Sequence, residues 1–148
     1  RQGYAPAQYK FGALYASGRG VEKSPAQALR WYLRSAKQGY APAQHEVAGL
    51  YGSGQGVKQD LAEAARWYRR AAQQGHVPAQ YSLGLMYYNG QGVRQDNVQA
   101  HLWFSLAAEG GEMEAVSQRD VVTKLMSPED IAKAEQLASK WRAARPAP

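Results

Sequence analysis

The sequence of residues 39–74 is GYAPAQHEVAGLYGSGQGVKQDLAEAARWYRRAAQQ, and closely similar stretches occupy residues 3–38 and 75–110. Each stretch opens on a glycine, and Gly3, Gly39, Gly75 and Gly111 follow one another at a constant interval of 36 residues. Self-similarity at a fixed period of this length is typical of repeat proteins, in which each repeat is one supersecondary unit. The structure of one unit, and the way units stack, therefore decide the fold.

The first half of each unit predicts an amphipathic helix. In the first unit, Ala7, Phe11, Leu14 and Tyr15 have the i, i+4, i+7, i+8 spacing that gathers apolar side chains on one face, so we expect that face to be buried. Glycine pairs end the helix in every unit, at positions 18 and 20, 54 and 56, and 90 and 92. We expect positive φ angles there, because glycine adopts them at little cost.

The second half of each unit predicts another helix, which begins after a capping residue, Ser24, Asp60 or Asp96. We expect its buried positions to hold small and aromatic residues in all three units. These are Ala28, Trp31, Tyr32 and Ala36, then Ala64, Trp67, Tyr68 and Ala72, then Ala100, Trp103, Phe104 and Ala108. Small residues let helices approach closely, and the aromatic rings fill the space between hairpins.

A single hairpin cannot bury both of its faces, so neighbouring hairpins must stack. We therefore predict an all-α fold: a right-handed α-solenoid superhelix of 36-residue helix-turn-helix repeats that form one domain over residues 1–148. The repeats span 3–38, 39–74 and 75–110, with a partial repeat at 111–126. Ser127, Pro128, Glu129 and Asp130 together form a strong helix start, which predicts a capping helix over 127–143.

Composition excludes several classes of protein. The chain has no cysteine, which removes disulfide frameworks, thiolate metal sites and cysteine nucleophiles. Its 45% of hydrophobic residues predicts a folded core, and no apolar run reaches the ~20 residues that span a bilayer. The net charge of +6 is compatible with anionic partners, but net charge bears on association and not on the fold.

The arginines are spaced as a stripe. Arg30 and Arg34, and again Arg66 and Arg70, stand at i and i+4 on the second helices. The third repeat has leucines at the same places, and no aromatic residue interleaves with the arginines as single-strand binding requires. We therefore interpret the stripe as a solvated face and predict no nucleic-acid partner.

Catalytic and metal-binding patterns are not found in the sequence. His45, His76 and His101 occupy unrelated positions of the repeat, without metal-ligand spacing, and no serine stands in a nucleophile elbow. The G-x-G turns lack the preceding strand that a phosphate-binding loop requires. We therefore predict no catalytic residue, metal, cofactor or small-molecule substrate, and a protein that is not an enzyme.

The phrase A-Q-x-x-L-G-x-x-Y-x-x-G-x-G-V, followed by D-x-x-x-A-x-x-W-Y-x-x-A-A-x-x-G, closely resembles the Sel-1-like repeat, a relative of the tetratricopeptide repeat. The resemblance covers roughly residues 3 to 116. It implies a non-catalytic scaffold or adaptor that holds a partner protein or peptide on a concave surface formed by the first helices. The alternative is a structural or regulatory segment of a larger bacterial envelope, polysaccharide-assembly or cell-polarity protein.

The resemblance also bears on location and assembly. Bacterial members are commonly exported, which favours the periplasm or cell envelope, with the cytoplasm as the alternative. Arg1 and Gln2 align with the end of a second helix, so we expect the chain to be part of a longer array. Membrane association is expected only through a region before Arg1, and a monomer is expected.

The candidate binding surface lies opposite the apolar stripe of the first helices. At ~100° per residue, positions 9, 13 and 16 point away from that stripe, and position 10 flanks them. The predicted partner-binding residues are Tyr9, Lys10, His45, Glu46, Tyr81, Leu85 and Tyr88. The alternative interpretation is that some of these aromatic rings pack against the next hairpin.

Overall fold

The computed structural model describes residues 4–145, which form eight α-helices and no strand. The helices are α1 (Tyr4–Ser17), α2 (Pro25–Lys37), α3 (Ala41–Ser53), α4 (Leu61–Gln73), α5 (Val77–Asn89), α6 (Asn97–Glu109), α7 (Met113–Thr123) and α8 (Pro128–Ala144). The all-α prediction is confirmed, with one helical hairpin in each predicted repeat. Contacts divide the chain into two compact units, Arg1–Ala71 and Ala72–Pro148, called unit 1 and unit 2 below.

The predicted capping residues begin the second helices. An oxygen of each of Ser24, Asp60 and Asp96 accepts a hydrogen bond from the backbone N–H three residues later, at 3.2, 3.0 and 3.2 Å. Ser127 does the same at the start of α8, at 3.1 Å. Each cap satisfies an N–H that has no partner within its own helix.

The glycine turn of the second repeat shows why two glycines recur. Gly54 ends α3 in the left-handed conformation, with φ of 71°, and its N–H donates to Leu50 O at 2.9 Å. Gly56 also has positive φ, 74°, and a Cβ added there would lie 2.5 Å from the backbone N of Ala26. This turn therefore packs backbone to backbone on the start of α2, which only glycine allows.

The core of unit 1 is continuous across its helices. It contains Ala28, Leu29, Tyr32 and Ala36 of α2, Ala43, Val47 and Ala48 of α3, and Trp67 of α4. The small residues are 0–1% exposed, so the helix backbones approach closely. Hydrophobic burial thus joins one repeat to the next.

The recurring Ala-Gln phrase has a structural role that the sequence analysis did not assign. Gln44 is buried, and its side-chain amide donates to Ala36 O at 3.2 Å. Gln80 makes the same bond to Ala72 O at 3.2 Å in unit 2. Each of these carbonyls, in the last turn of the preceding second helix, also accepts from the N–H of Gly39 or Gly75, so the glutamine adds a second hydrogen bond that ties the next helix to it.

The prediction of a buried apolar stripe is wrong for α1. Phe11 and Leu14 are 48% and 37% exposed, Ala7 is exposed, and Tyr15 is half-buried. Val47, which corresponds to Phe11, is fully buried because α2 packs on α3. No second helix precedes α1 among residues 4–145, so nothing described covers the equivalent face.

Three of the residues predicted to be buried on the second helices, Trp31, Tyr68 and Ala108, are also only half-buried. The other nine predicted positions are buried.

The predicted capping helix forms as α8 and packs on α6. The rings of Trp103 and Trp141 meet edge to face with centroids 6.4 Å apart. Arg142 makes a two-pronged contact with Glu109, from Nε to Oε1 at 2.9 Å and from Nη2 to Oε2 at 2.5 Å. Aromatic packing and a bidentate ion pair together attach α8 to the last hairpin.

In two of the hairpins, a glycine of the first helix lies against an aromatic ring of the second helix. A Cβ added at Gly84 would lie 2.7 Å from Cδ1 of Phe104, and one at Gly12 would lie 2.6 Å from Cδ1 of Tyr32. These distances are too short for a methyl group, so the two helices are as close as the rings permit.

We predict opposite effects for two glycine-to-alanine changes within helices. Gly84→Ala forces the buried Phe104 ring to move and should destabilise the protein by about 1 to 3 kcal/mol. At Gly52 the new Cβ would lie 3.7 Å from Ala64 Cβ, an ordinary contact, so Gly52→Ala should stabilise by up to about 1 kcal/mol. Urea unfolding measures both, and a loss of equal size in the two variants would contradict the proposed close contact.

His101 is a buried polar residue beside the cap. It is 6% exposed, with Nδ1 at 3.4 Å from Ser105 Oγ, and it borders a polar cavity of about 350 Å³ that also includes Arg119, Glu135 and Arg142. Burial lowers the pKa of His101, and the nearby charge of Arg119 lowers it further, whereas Glu135 opposes the shift. The imidazole is therefore held neutral.

This lowered pKa predicts a pH dependence of stability. Because the pKa in the folded state lies below its ordinary value near 6.5, the unfolded chain binds the proton more readily. The contribution of the neutral His101 side chain to the free energy of unfolding is fully present above pH ~6.5. It is lost as the pH falls toward the pKa of His101 in the folded state. Urea unfolding between pH 7.5 and 5 should show a steeper loss for the native chain than for His101→Gln. Parallel curves would show that His101 does not titrate in this way.

Candidate partner-binding surface

The structure places all seven predicted binding residues at helix surfaces. Tyr9, Lys10, His45 and Glu46 belong to α1 and α3 in unit 1, and Tyr81, Leu85 and Tyr88 belong to α5 in unit 2. Lys10 is exposed and the other six are half-buried. Half-burial is the state in which a side chain is held in place and still presents area to a partner.

In unit 1, Tyr9 belongs to an aromatic group. Its ring centroid lies 5.5 Å from that of Tyr32 and 5.5 Å from that of Tyr40, the second contact being edge to face. Tyr32 is buried on α2, and Tyr40 is the residue just before α3. Tyr9 is therefore oriented by its own hairpin and by the start of the next one.

A carboxylate lies beside this group. Burial raises the pKa of Tyr9, and the negative charge of Glu46 raises it further. The same two causes, in the same order, raise the pKa of Tyr32. Both hydroxyls therefore remain protonated, and each has a proton to donate.

His45 occupies in α3 the position that Tyr9 has in α1. Its ring centroid lies 5.5 Å from that of Tyr68 on α4, and its Nδ1 lies 3.4 Å from Glu46 Oε2. Glu46 thus lies beside His45 and close enough to Tyr9 for its charge to act on the Tyr9 hydroxyl.

In unit 2, Tyr81 repeats the arrangement. Its ring lies 5.9 Å from that of Phe104, and its hydroxyl donates to Glu114 Oε2 at 3.4 Å. Burial is the largest cause of its raised pKa, followed by Glu114, and Glu112 adds to it. An aromatic ring backed by the second helix and a hydroxyl facing carboxylates therefore recur in both units.

Three further residues meet the predicted ones at this surface and were not predicted from the sequence, namely Tyr40, Glu112 and Glu114. The repeat pattern could have indicated them, because Tyr40 and Glu112 occupy the same place two repeats apart, just before a first helix. That place follows a glycine turn, so helical periodicity alone does not show that it meets position 9 of the preceding unit.

The rings are partly packed and partly accessible. The packing that all three share is against their own hairpin, whereas the alternative interpretation placed it on the next hairpin, which Tyr9 meets at Tyr40. Tyr9, His45 and Tyr81 each contact the aromatic residue at the same place on their second helix, namely Tyr32, Tyr68 and Phe104. A role in partner binding stays a prediction for all seven residues.

Among residues 4–145, no three histidine or acidic side chains are grouped as metal ligands would be. None of the helices within that range has the length and apolarity needed to cross a membrane.

Solved structures resemble this chain. One is c5321, described as a protective antigen present in uropathogenic Escherichia coli strains and displaying an SLR fold. It is 44% identical with a TM-score of 0.77, and the match covers 79% of this chain and 25% of that one. A Sel1 repeat protein from Oxalobacter formigenes is 37% identical with a TM-score of 0.78, over 79% of this chain and 48% of that one. The chain therefore spans about a quarter and about half of these two relatives.

A more distant structure shows the fold alone. Helicobacter pylori cysteine rich protein B is 20% identical with a TM-score of 0.66, and the match covers 77% of this chain and 88% of that one. No curated protein sequence matches the chain significantly.

The model of the Sel1 repeat matches three consecutive segments, residues 5–40, 41–76 and 77–112. These segments are the three predicted repeats displaced by two residues, and they cover well over half of the chain. The protein belongs to the Sel1 repeat family, a class of non-catalytic helical-repeat proteins that generally serve as scaffolds for protein–protein interaction.

Proposed function

We propose that this chain is a scaffold or adaptor that binds a partner protein or peptide on the surface of its first helices. The observation that carries the proposal is the recurring aromatic residue at positions 9, 45 and 81, half-buried and supported from behind by a ring of the second helix. Anchored aromatic side chains supply large contact area at little entropic cost, which is why binding energy concentrates on them.

The chemistry of the surface indicates the kind of partner. Tyrosine hydroxyls stand beside Glu46 in unit 1 and beside Glu114 in unit 2. A peptide that offers apolar or aromatic side chains for the rings, together with a basic side chain for the carboxylates, complements both groups.

Unit 2 supplies the larger anchors. Leu85 and Tyr88 of α5 stand where α3 has Gly49 and Gly52. A repeat that carries bulky side chains at both positions presents more apolar area than one with glycine there. We therefore propose that the strongest contacts are made by Tyr81, Leu85 and Tyr88.

Location is part of the same proposal. We place the protein in the periplasm or cell envelope of a bacterium, with the cytoplasm as the alternative. The relatives that it resembles at 44% and 37% identity are much longer chains, which is consistent with a scaffold segment of a larger protein. A role of the repeats as a structural segment within such an envelope protein is the second candidate.

We predict that Tyr81→Ala combined with Tyr88→Ala weakens partner binding by about 2 kcal/mol or more, since two aromatic anchors are removed. The partner is first isolated by affinity capture with the complete protein, and its Kd is then measured by calorimetry. The melting temperature should change little, because both side chains are only half-buried.

Two further variants make the test specific. Phe11→Ala removes an exposed aromatic residue from the opposite stripe of a first helix and should leave binding unchanged. Tyr81→Phe removes only the hydroxyl that faces Glu114. If the double variant loses most of its stability and binds normally whenever it is folded, the two tyrosines are core residues and the proposed surface is wrong.

A further inference from the structure

The net positive charge of the chain lies in unit 1. Residues 1–71 contain 11 Lys and Arg against 4 Asp and Glu, a net charge of +7. Residues 72–148 contain 7 against 8, a net charge of −1. Two units with the same repeat thus differ strongly in electrostatic character, and the repeat fold itself does not require this difference.

The second helices of unit 1 carry most of its excess of basic over acidic residues. Helices α2 and α4 hold six basic residues, Arg30, Arg34, Lys37, Arg66, Arg69 and Arg70, whereas α6 holds none. The one carboxylate on α2 and α4 is Glu63, which contacts Arg66. Among residues 4–145, Arg30, Arg34 and Arg70 form no ion pair with a carboxylate.

Two of these arginines are held in the same way. The guanidinium of Arg34 lies over the ring of Trp31, 4.9 Å from its centroid, and that of Arg70 lies over Trp67 at 4.6 Å. Stacking restrains a planar guanidinium and leaves the N–H groups at its edge free to bind an oxyanion in a bidentate manner. The two stacked pairs occupy equivalent positions in successive repeats.

The third repeat provides an internal comparison. Leu102 and Leu106 stand there in place of Arg30 and Arg34, and both are buried, at 6% and 4% exposure. The neighbouring Trp103 packs against Trp141 of α8 instead of lying under an arginine. In α6, where these positions are buried, they hold leucine. In α2 and α4, where they face solvent, they hold arginine, and one arginine of each helix is stacked on a tryptophan.

We propose that the arginines and tryptophans of α2 and α4, namely Arg30, Trp31 and Arg34 with Trp67 and Arg70, form a docking surface for an acidic peptide segment of a partner protein. These residues are separate from the first-helix residues assigned above, so the inference goes beyond the proposed function.

The spacing suits an extended acidic segment. Arg30 and Arg34 are one helical turn apart, which separates their Cβ atoms by about 6 Å. In an extended chain, alternate residues lie about 7 Å apart on one side. Glutamate or aspartate at alternate positions therefore presents carboxylates at nearly the same interval as the arginines.

A nucleic acid is less well matched than a peptide. Binding of single strands relies on bases that stack on open aromatic faces. Trp67 is only 6% exposed, and the faces of Trp31 and Trp67 that are in contact with Arg34 and Arg70 are already occupied. The surface offers edge-on donors for carboxylates. Contrary to the sequence interpretation that no aromatic residue lies among the arginines, Trp31 and Trp67 do, but each is already stacked with an arginine.

The test uses the full chain and a labelled synthetic peptide with glutamate at alternate positions, followed by fluorescence anisotropy. Arg34→Gln combined with Arg70→Gln should weaken binding by about 10-fold or more, because two charge-assisted contacts are lost. Lys133→Gln combined with Lys140→Gln removes the same charge from exposed positions of α8 and should change Kd by less than about 2-fold. Circular dichroism checks that both variants fold.

A third variant separates geometry from net charge. Arg34→Lys combined with Arg70→Lys keeps the charge and loses the planar, stacked donors, so it should also bind less tightly than the native chain. Native affinity in this variant would overturn the assignment, since charge alone would then suffice. Equal losses in the two glutamine variants, or no binding by the native chain, would overturn it as well.

Alternative anionic partners are tested in the same assay. A single-stranded oligonucleotide or phosphatidylserine vesicles that bind more tightly than the peptide and respond to the Arg34 and Arg70 changes would overturn the choice of an acidic peptide. The Tyr81 and Tyr88 double variant should bind the peptide normally, so failure of the first-helix proposal and failure of this one are distinguishable.

Discussion

The close approach of the two helices within a hairpin is the contact on which the remaining structure depends. In two of the three repeats, a ring of the second helix lies against a glycine of the first, Tyr32 against Gly12 and Phe104 against Gly84. The second repeat has Ala48 at that place, and its ring, Tyr68, is only half-buried. The repeat with a methyl group at this place thus has the less buried ring, which agrees with interiors packed to crystal-like density.

The candidate binding surface is built on this contact. The rings that pack between the helices also support the residues that face outward, since Tyr9, His45 and Tyr81 each lean on the same position of their own second helix. Packing and presentation of the surface are therefore physically linked. A substitution that moves the ring of Tyr32 or Phe104 should also displace the surface ring packed on it, even though neither Tyr32 nor Phe104 is exposed.

Unit 1 carries two chemically different faces. Tyrosine hydroxyls and Glu46 lie on the side of the first helices, and arginines stacked on tryptophan lie on the second helices. Ala28 and Ala36 of the same hairpin are buried in the core and belong to neither face. A scaffold with two such faces is suited to partners of opposite charge, because the fields of the two groups favour different ligands.

Much of the architecture was predictable from the sequence because it depends on local interactions. Helix limits, the caps at Ser24, Asp60 and Asp96, the positive φ angles of the glycine turns and the start of α8 each follow from a few neighbouring residues. Because the repeat recurs every 36 residues, the structure predicted for one hairpin applies to all three.

The candidate site was predictable only in part. Helical periodicity identified the side of the helix that carries Tyr9, His45 and Tyr81, but the contacts of Tyr9 with Tyr40, and of Tyr81 with Glu114, join residues about one repeat apart in sequence.

Only the tertiary structure decided which faces are covered and which side chains meet across repeats. Phe11 has the same pattern as Val47 and differs in exposure because a helix packs on one and not on the other. The bond from Gln44 to Ala36 O and the burial of His101 beside Arg119 likewise depend on relative placement in space. Local sequence determines each helix, but the burial and the pKa of a side chain depend on what lies across from it.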